Sequence, residues 1–268
     1  MPDLMFYLSQ PFAQHALLAA AIVALICGII GPFVIMRGMA FAVHGTSELA
    51  FTGASAGLLV GNPLAGALVG TVLFASIIGV LGVKERERDS AIGVMLAFGL
   101  GVGVLLLSFY HGFASQATNI LFGNIFGVSD GQLLFLVIMG LVAFLVLAVM
   151  YRPLLFASVD PEVAEARGVS VKLVGIVFLI VLAFAVTEAA QIVGTLLVLS
   201  LAITPAAAAL RLSSRPLSVI LLSVAFALIA SVGGLVMSLA SGDIKPSVFI
   251  TFISFGIYIL VRLVTRRN

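Results

Sequence analysis

Long, unbroken apolar runs fill this chain, and they leave few folds open to it. Stretches of about twenty apolar residues recur from one end to the other, the length an α-helix needs to cross the hydrocarbon of a bilayer. Strands of an outer-membrane barrel alternate polar and apolar residues, and these runs do not. Composition removes the remaining options. Of 268 residues, 62% are hydrophobic and 9% charged, whereas a soluble domain carries about 25% charged residues. A soluble enzyme, a nucleic-acid binder and a disordered chain are excluded. The expected fold is all-α: a polytopic transmembrane helical bundle forming a single domain over 1–268.

Nine apolar segments are expected, near 13–36, 40–60, 64–83, 91–110, 130–151, 173–193, 195–210, 216–240 and 247–263. The second and seventh are the weakest. The second contains His44 and Glu48, and the seventh is short and carries Pro205. Charge placement sets the orientation. Of thirteen Lys and Arg, twelve fall on one side: Arg37, Lys84, Arg86, Arg88, Arg152, Arg167, Lys172, Arg211, Arg215, Arg262, Arg266 and Arg267. Only Lys245 falls on the other. The positive-inside rule then puts the N-terminus outside and the C-terminus in the cytoplasm. Dropping one helix would scramble the sides and erase the bias. Met1 to Gln10 holds no Lys or Arg, so no cleavable signal peptide is expected there. The single cysteine, Cys27, excludes an internal disulfide.

Two connections are longer than the rest. The external stretch from His111 to Ser129 is half apolar, which predicts a short helix lying at the membrane interface. The internal stretch from Arg152 to Lys172 contains its own helix signals. Asp160 can cap a helix, Pro161 suits its first position and Glu162 its first turn, and Gly168 can end it. A polar cytoplasmic helix of about two turns is predicted over 160–168. The run from Lys84 to Asp89 is expected to be a solvated cytoplasmic loop.

Small residues are spaced for close helix packing. Gly53 and Gly57 form one GxxxG pair, Gly66 and Gly70 another, and Gly99, Gly101 and Gly103 sit together mid-span. The last group does not read as a phosphate cradle, because no strand precedes it and its surroundings are apolar. A P-loop needs Gly-Lys-Ser/Thr, and no lysine here follows a glycine. The chain is therefore not expected to hydrolyse nucleotide itself, and any pumping must draw on an ion gradient or a partner subunit.

Ionisable groups inside a membrane are costly, so each is a candidate for function. His44, Glu48 and Glu188 are the candidates here; His15 and His111 lie near external helix ends, where water reaches. His44 and Glu48 are four residues apart, on one helix face and one turn apart. Counted from Met39, they lie roughly 8 and 14 Å into the bilayer. An imidazole and a carboxylate at this spacing can share a divalent cation of the Zn or Mn type, or form a neutral hydrogen-bonded pair that fixes helix packing. Thr46, Ser47 and Thr52 make the same helix polar, so it must face protein or a water-filled path. Glu188 is flanked by Thr187 and Gln191 in the outer third of its helix. It can serve as a third ligand, an entry-path carboxylate or a partner to a neighbouring helix. Pro205 after Thr204 removes a backbone donor, which predicts a kink or gate.

Four segments in order carry a family resemblance. MRGMAFAVHGTSELAFTGASAG (36–57) resembles an Arg-x-Met-x-x-x-Gly-Asp-x-x-x-His-x-x-x-Pro-Gly segment. ILFGNIFGVS (120–129) resembles a Leu-Phe-Gly-Asn-Ile loop, SVDPEVAEARGVSV (158–171) a cytoplasmic coupling helix, and QIVGTLLVLSLAITPAAAA (191–209) a Val-Gly-x-x-Leu and Thr-Pro-Ala-Ala helix. Over nearly its whole length the chain resembles the permease subunit of the ABC transporters that import zinc, manganese or iron(II) into bacteria. His44 stands where that family has Asp, Glu48 where it has His, and Thr52 where Pro precedes Gly53. The exchange keeps one carboxylate and one imidazole at the same spacing. Glu188 has no counterpart in the pattern.

The resemblance implies a transport subunit of the bacterial cytoplasmic membrane, not an enzyme. It implies a homodimer bound to two cytoplasmic ATPase subunits and fed by an extracytoplasmic metal-binding protein. No cofactor is expected to stay bound, and ATP is expected only on the partners. Zinc is the expected cargo, with manganese next. His44 and Glu48 would touch the cation in passing. The helix carrying Asp160, Pro161, Glu162, Glu165, Arg167 and Gly168 would sit in a groove of the ATPase. Two other readings stay open: an ion-coupled secondary transporter with Glu48 and Glu188 as proton carriers, and an ABC permease for a chelated metal or vitamin.

Overall fold

The computed structural model describes residues 6–7, 9–81, 85–110, 123–242 and 244–265. Among them are ten α-helices, one 3-10 turn and no strand. In chain order the helices are α1 (Pro11–Met36), α2 (Ala40–Leu59), α3 (Pro63–Leu81), α4 (Glu85–Ser108), α5 (Asp130–Val159), α6 (Pro161–Ala166), α7 (Val171–Val193), α8 (Thr195–Leu212), α9 (Pro216–Ser241) and α10 (Pro246–Thr265). Nine of the ten occupy the nine apolar segments expected, and α6 is the short polar helix. Among the described residues six helices are long and apolar enough to cross a membrane: α1, the Asp89–Ser108 part of α4, α5, α7, α9 and α10. Pro63–Gly79 and Leu197–Leu212 are shorter apolar helices.

Two boundaries differ from expectation. The charged run after Lys84 is helical from Glu85 onward, as the first turns of α4. Glu and Arg are good helix formers, so the helix continues out of its apolar part without a break. Helix α5 does not stop before Arg152 but runs on to Val159. Its 30 residues span about 45 Å, more than the roughly 30 Å of hydrocarbon. Pro153 lies inside it and costs one ladder hydrogen bond without ending it. Burial of Leu154 and Ala157 holds the extension in place. The expected interfacial helix after His111 falls mostly outside the described residues; within them, Ile125–Gly127 forms a 3-10 turn.

The bundle is centred on α1 and α7, the most buried of the six long apolar helices. Phe33 of α1 meets Phe178 of α7 and Tyr151 of α5 edge-on, at centroid distances of 6.4 and 6.3 Å. The Arg37 guanidinium lies 5.8 Å above the Phe178 ring. Helices α4 and α10 are the least buried of the long ones, so their apolar faces are left to lipid or to another chain.

Helix α2 is buried on nearly all sides, although it is too polar to count among the spans. It packs chiefly against α3 and α4, and also against α7 and α8. Glycines make this possible. The Gly53–Gly57 pair of α2 lies directly against the Gly66–Gly70 pair of α3. A Cβ added at Gly70 would stand 2.9 Å from the Gly53 Cα, and one at Gly66 only 2.6 Å from the Gly57 Cα. On the other side, Gly99 and Gly103 of α4 take the side chains of Leu49, Phe51 and Thr52. The two GxxxG pairs therefore serve backbone approach, as expected for membrane helices, while Gly99 and Gly103 make room for side chains. Gly101 meets nothing within 4 Å.

Helix α6 forms as its signals predict. The Asp160 carboxylate accepts from the Val163 N–H at 3.0 Å, Pro161 opens the helix, and Glu162 lies in the first turn. Gly168 ends it at φ +85, where the Val169 N–H donates to the Ala164 carbonyl at 3.0 Å. Ala164 is buried while Glu162, Glu165 and Arg167 are exposed. Helix α8 runs unbroken through Pro205, so the expected kink does not divide it. Gly31 of α1 lies against Ala202 and Ala206 on either side of that proline.

Candidate functional site

The glycine contacts above fix where His44 and Glu48 stand. Both lie on α2, one turn apart. Glu48 is 8% exposed, and His44 is half-buried with its ring 6.2 Å from that of Phe41. Among the described residues neither a hydrogen bond nor an ion pair joins the two side chains. The neutral hydrogen-bonded pair is thus not what holds α2 in place.

The other polar groups of α2 are occupied. Thr46 donates to the Ala42 carbonyl at 2.7 Å and Ser47 to the His44 carbonyl at 2.8 Å. Ser55 donates to the Phe51 carbonyl at 2.9 Å. Thr52, which stands in place of the resemblance's proline, donates to the Gly99 carbonyl of α4 at 2.7 Å. The polarity of this helix therefore resolves into two kinds. The hydroxyls are satisfied by backbone carbonyls, while the imidazole and the carboxylate keep their donor and acceptor capacity for something else.

Glu188 belongs to a different place. Among the described residues no three His, Cys, Asp or Glu side chains come together as a metal-binding group, so Glu188 does not complete a triad with His44 and Glu48. It lies one turn before the end of α7, 3% exposed, and its Oε1 is buried without a hydrogen-bond partner. Thr187 does not supply one. Its hydroxyl donates to the Ala183 carbonyl at 2.7 Å and shares a hydrogen bond of 2.9 Å with Thr71 of α3.

Glu188 lines a cavity of about 450 Å³. Its walls are the turn between α2 and α3 (Leu58, Gly61, Pro63, Leu64), Tyr110, Asn124, Gln132 and the end of α7 with Gln191. Two glycines assemble it. Gly123 (φ +71) and Gly194 (φ +93) come into backbone contact, with no room for a Cβ at Gly123. This contact seats Asn124 against the end of α7. Two of the segments that carry the resemblance, the one around Gly123 and the one around Gly194, meet here. Sequence reasoning did not single out Asn124, Gln132 or Tyr110. The signal available was the pair of glycines, since both sit in conformations that L side chains avoid.

His15, read as a group that simply meets water, has a partner: its Nε2 lies 3.2 Å from Asp130 Oδ1 at the start of α5. His111 lies outside the described residues.

The chain is similar to known proteins over nearly its whole length. The sequence model of the ABC 3 transport family matches residues 9–265. The manganese transport system membrane protein MntC of Halalkalibacterium halodurans is 33% identical over 244 residues, covering 89% of this chain and 84% of that one. The manganese import system permease protein ScaB of Streptococcus parasanguinis is 33% identical over 229 residues, covering 84% and 80%. Among solved structures, PsaBC from Streptococcus pneumoniae in complex with a Fab superposes with a TM-score of 0.86. It is 29% identical and 99% of each chain is covered.

Proposed function

Since this chain belongs to the ABC 3 transport family and is a multi-pass membrane protein, we propose that it is the permease subunit of an importer for a divalent transition metal, with manganese as the cargo. The observation that carries this is the α2 pair: one imidazole and one carboxylate, a turn apart within the membrane and hydrogen-bonded to no other described side chain. The relatives' names move the cargo from the zinc expected on sequence grounds toward manganese. The donor set agrees, because carboxylate and imidazole together suit Mn(II) as well as Zn(II), and no cysteine stands nearby to favour the softer ion.

In this reading all nine helices other than α6 cross the membrane, with the N-terminus outside, as the charge bias supports. Two copies of the chain pair, and cytoplasmic ATPase subunits dock on α6. Nucleotide binding and hydrolysis there rock the two copies between outward and inward access. An extracytoplasmic binding protein delivers the cation, and the His44–Glu48 pairs touch it in transit. The exposed Glu162, Glu165 and Arg167 on a capped, buried-at-one-face helix are what a groove on a partner would grip.

Uptake of radiolabelled Mn(II) into cells carrying the complete importer tests this. Unlabelled Mn(II) is expected to compete and a chelated metal not at all; preference over Zn(II), which binds nitrogen and oxygen donors at least as tightly, is read from which metal accumulates inside. Reversing charge on α6 with Glu162→Lys and Glu165→Lys is expected to stop ATP-dependent uptake while the chain still reaches the membrane. Unchanged uptake in that double variant would remove the ATPase-docking role. Preferred uptake of a chelate would remove the free-cation reading.

A further inference from the structure

The Glu188 cavity is not explained by the α2 pair. Residue Glu48 is ten positions before Leu58, the first α2 residue on the cavity wall, so the two places are about 15 Å apart along that helix. The cavity gathers the end of α2, the start of α3, the Asn124 loop, the start of α5 and the end of α7. All of these lie at the end of the bundle away from α6. A buried carboxylate with an unpartnered oxygen is costly to hold in protein, and such a group calls for a missing partner. Gln191 follows Glu188 by three residues, so both project from one side of α7. Asn124 adds a third oxygen from across the cavity. Gln132 is less available, because its Oε1 already accepts from the Ser129 N–H at 3.0 Å. The described lining holds no histidine and no cysteine.

We propose that Glu188, Gln191 and Asn124 form a second, outer cation site, which receives a partly hydrated divalent ion before it reaches His44 and Glu48. Carboxylate, carboxamide and water oxygens are hard donors. They suit Mn(II), and they lack the nitrogen and sulfur donors that give Zn(II) and Cu(I) most of their advantage over it. A volume of about 450 Å³ admits an ion together with several waters, each taking about 30 Å³. Selection for the harder ion would thus begin at the entrance and not at the imidazole. The inference rests on the metal-import reading, but its test does not.

Mn(II) alone is titrated into the purified, detergent-solubilised full chain, and binding is read by electron paramagnetic resonance. Wild-type chain is expected to bind Mn(II) at a site without histidine-nitrogen coupling. Glu188→Gln is expected to weaken that site at least about ten-fold and Gln191→Leu by a few-fold, with the chain still monodisperse. Paired substitution His44→Ala and Glu48→Gln is expected to leave it in place. Equal Mn(II) binding by Glu188→Gln and wild type would overturn the proposal, as would loss of all binding in the α2 double variant. Histidine-nitrogen coupling on every bound ion would overturn it too. Binding at Glu188 by a chain whose complete importer takes up no metal would support this site and sink the proposed function instead.

Discussion

Glu48→Gln is expected to lower Mn(II) uptake by about 100-fold, a loss of about 2.7 kcal/mol, with membrane levels of the chain unchanged. His44→Ala should do the same. The reason lies in what surrounds the pair. Thr46, Ser47, Thr52 and Ser55 are all bonded to carbonyls, so α2 does not depend on His44 or Glu48 for its polar satisfaction. Its position comes from glycine contacts with α3 and α4. Removing a charge from Glu48 therefore takes away cation affinity and little else. His44→Asp sharpens the point, since it leaves two carboxylates and no imidazole; uptake should fall. Combining it with Glu48→His restores the order of the family's segment and should recover uptake. Cellular metal content measured by mass spectrometry, set against chain abundance in the membrane fraction, reads all four variants. Wild-type metal content in both Glu48→Gln and His44→Ala would remove the pair from the path.

The sequence made the helices legible because hydropathy in a membrane is nearly a one-dimensional signal. Helix α6 was legible for another reason: Asp160, Pro161 and Gly168 are local signals, and each acts within four residues of itself. Helix α2 was harder. Its polarity argued against a lipid-facing span, and only burial by α3, α4, α7 and α8 explains it. The end of α5 was missed because Pro153 and Arg152 look like a stop, while the packing of Leu154 and Ala157 that overrides them is tertiary. The same holds for the candidate site. Spacing alone puts His44 and Glu48 on one face. Nothing in the spacing says that Glu188 faces a cavity with Asn124, because that requires the chain to bring residues 124 and 191 together through Gly123 and Gly194.

The α2–α3 seam should be the most sensitive structural feature of the chain. Gly66→Leu is expected to abolish accumulation of folded protein. A Cβ at Gly66 meets the backbone of Gly53 and Gly57, the latter's Cα and N at 2.6 and 2.7 Å. Neither can swing aside as a side chain would, so α2 and α3 must separate along their length. Overpacking a yielding core costs about 1–3 kcal/mol. Here the obstacle is backbone on both helices, and the cost should exceed that range. Separation also opens the contact by which α3 holds α7 through Thr71 and Thr187, so the damage reaches Glu188. Gly101→Leu is the matched comparison. It adds the same bulk to another membrane helix, but a Cβ at Gly101 meets nothing within 4 Å, and the protein should accumulate normally. Fluorescence-detected size exclusion of detergent extracts measures both. A monodisperse peak of wild-type height from Gly66→Leu would mean that the seam is looser than its geometry implies, and that α4, α7 and α8 suffice to hold α2.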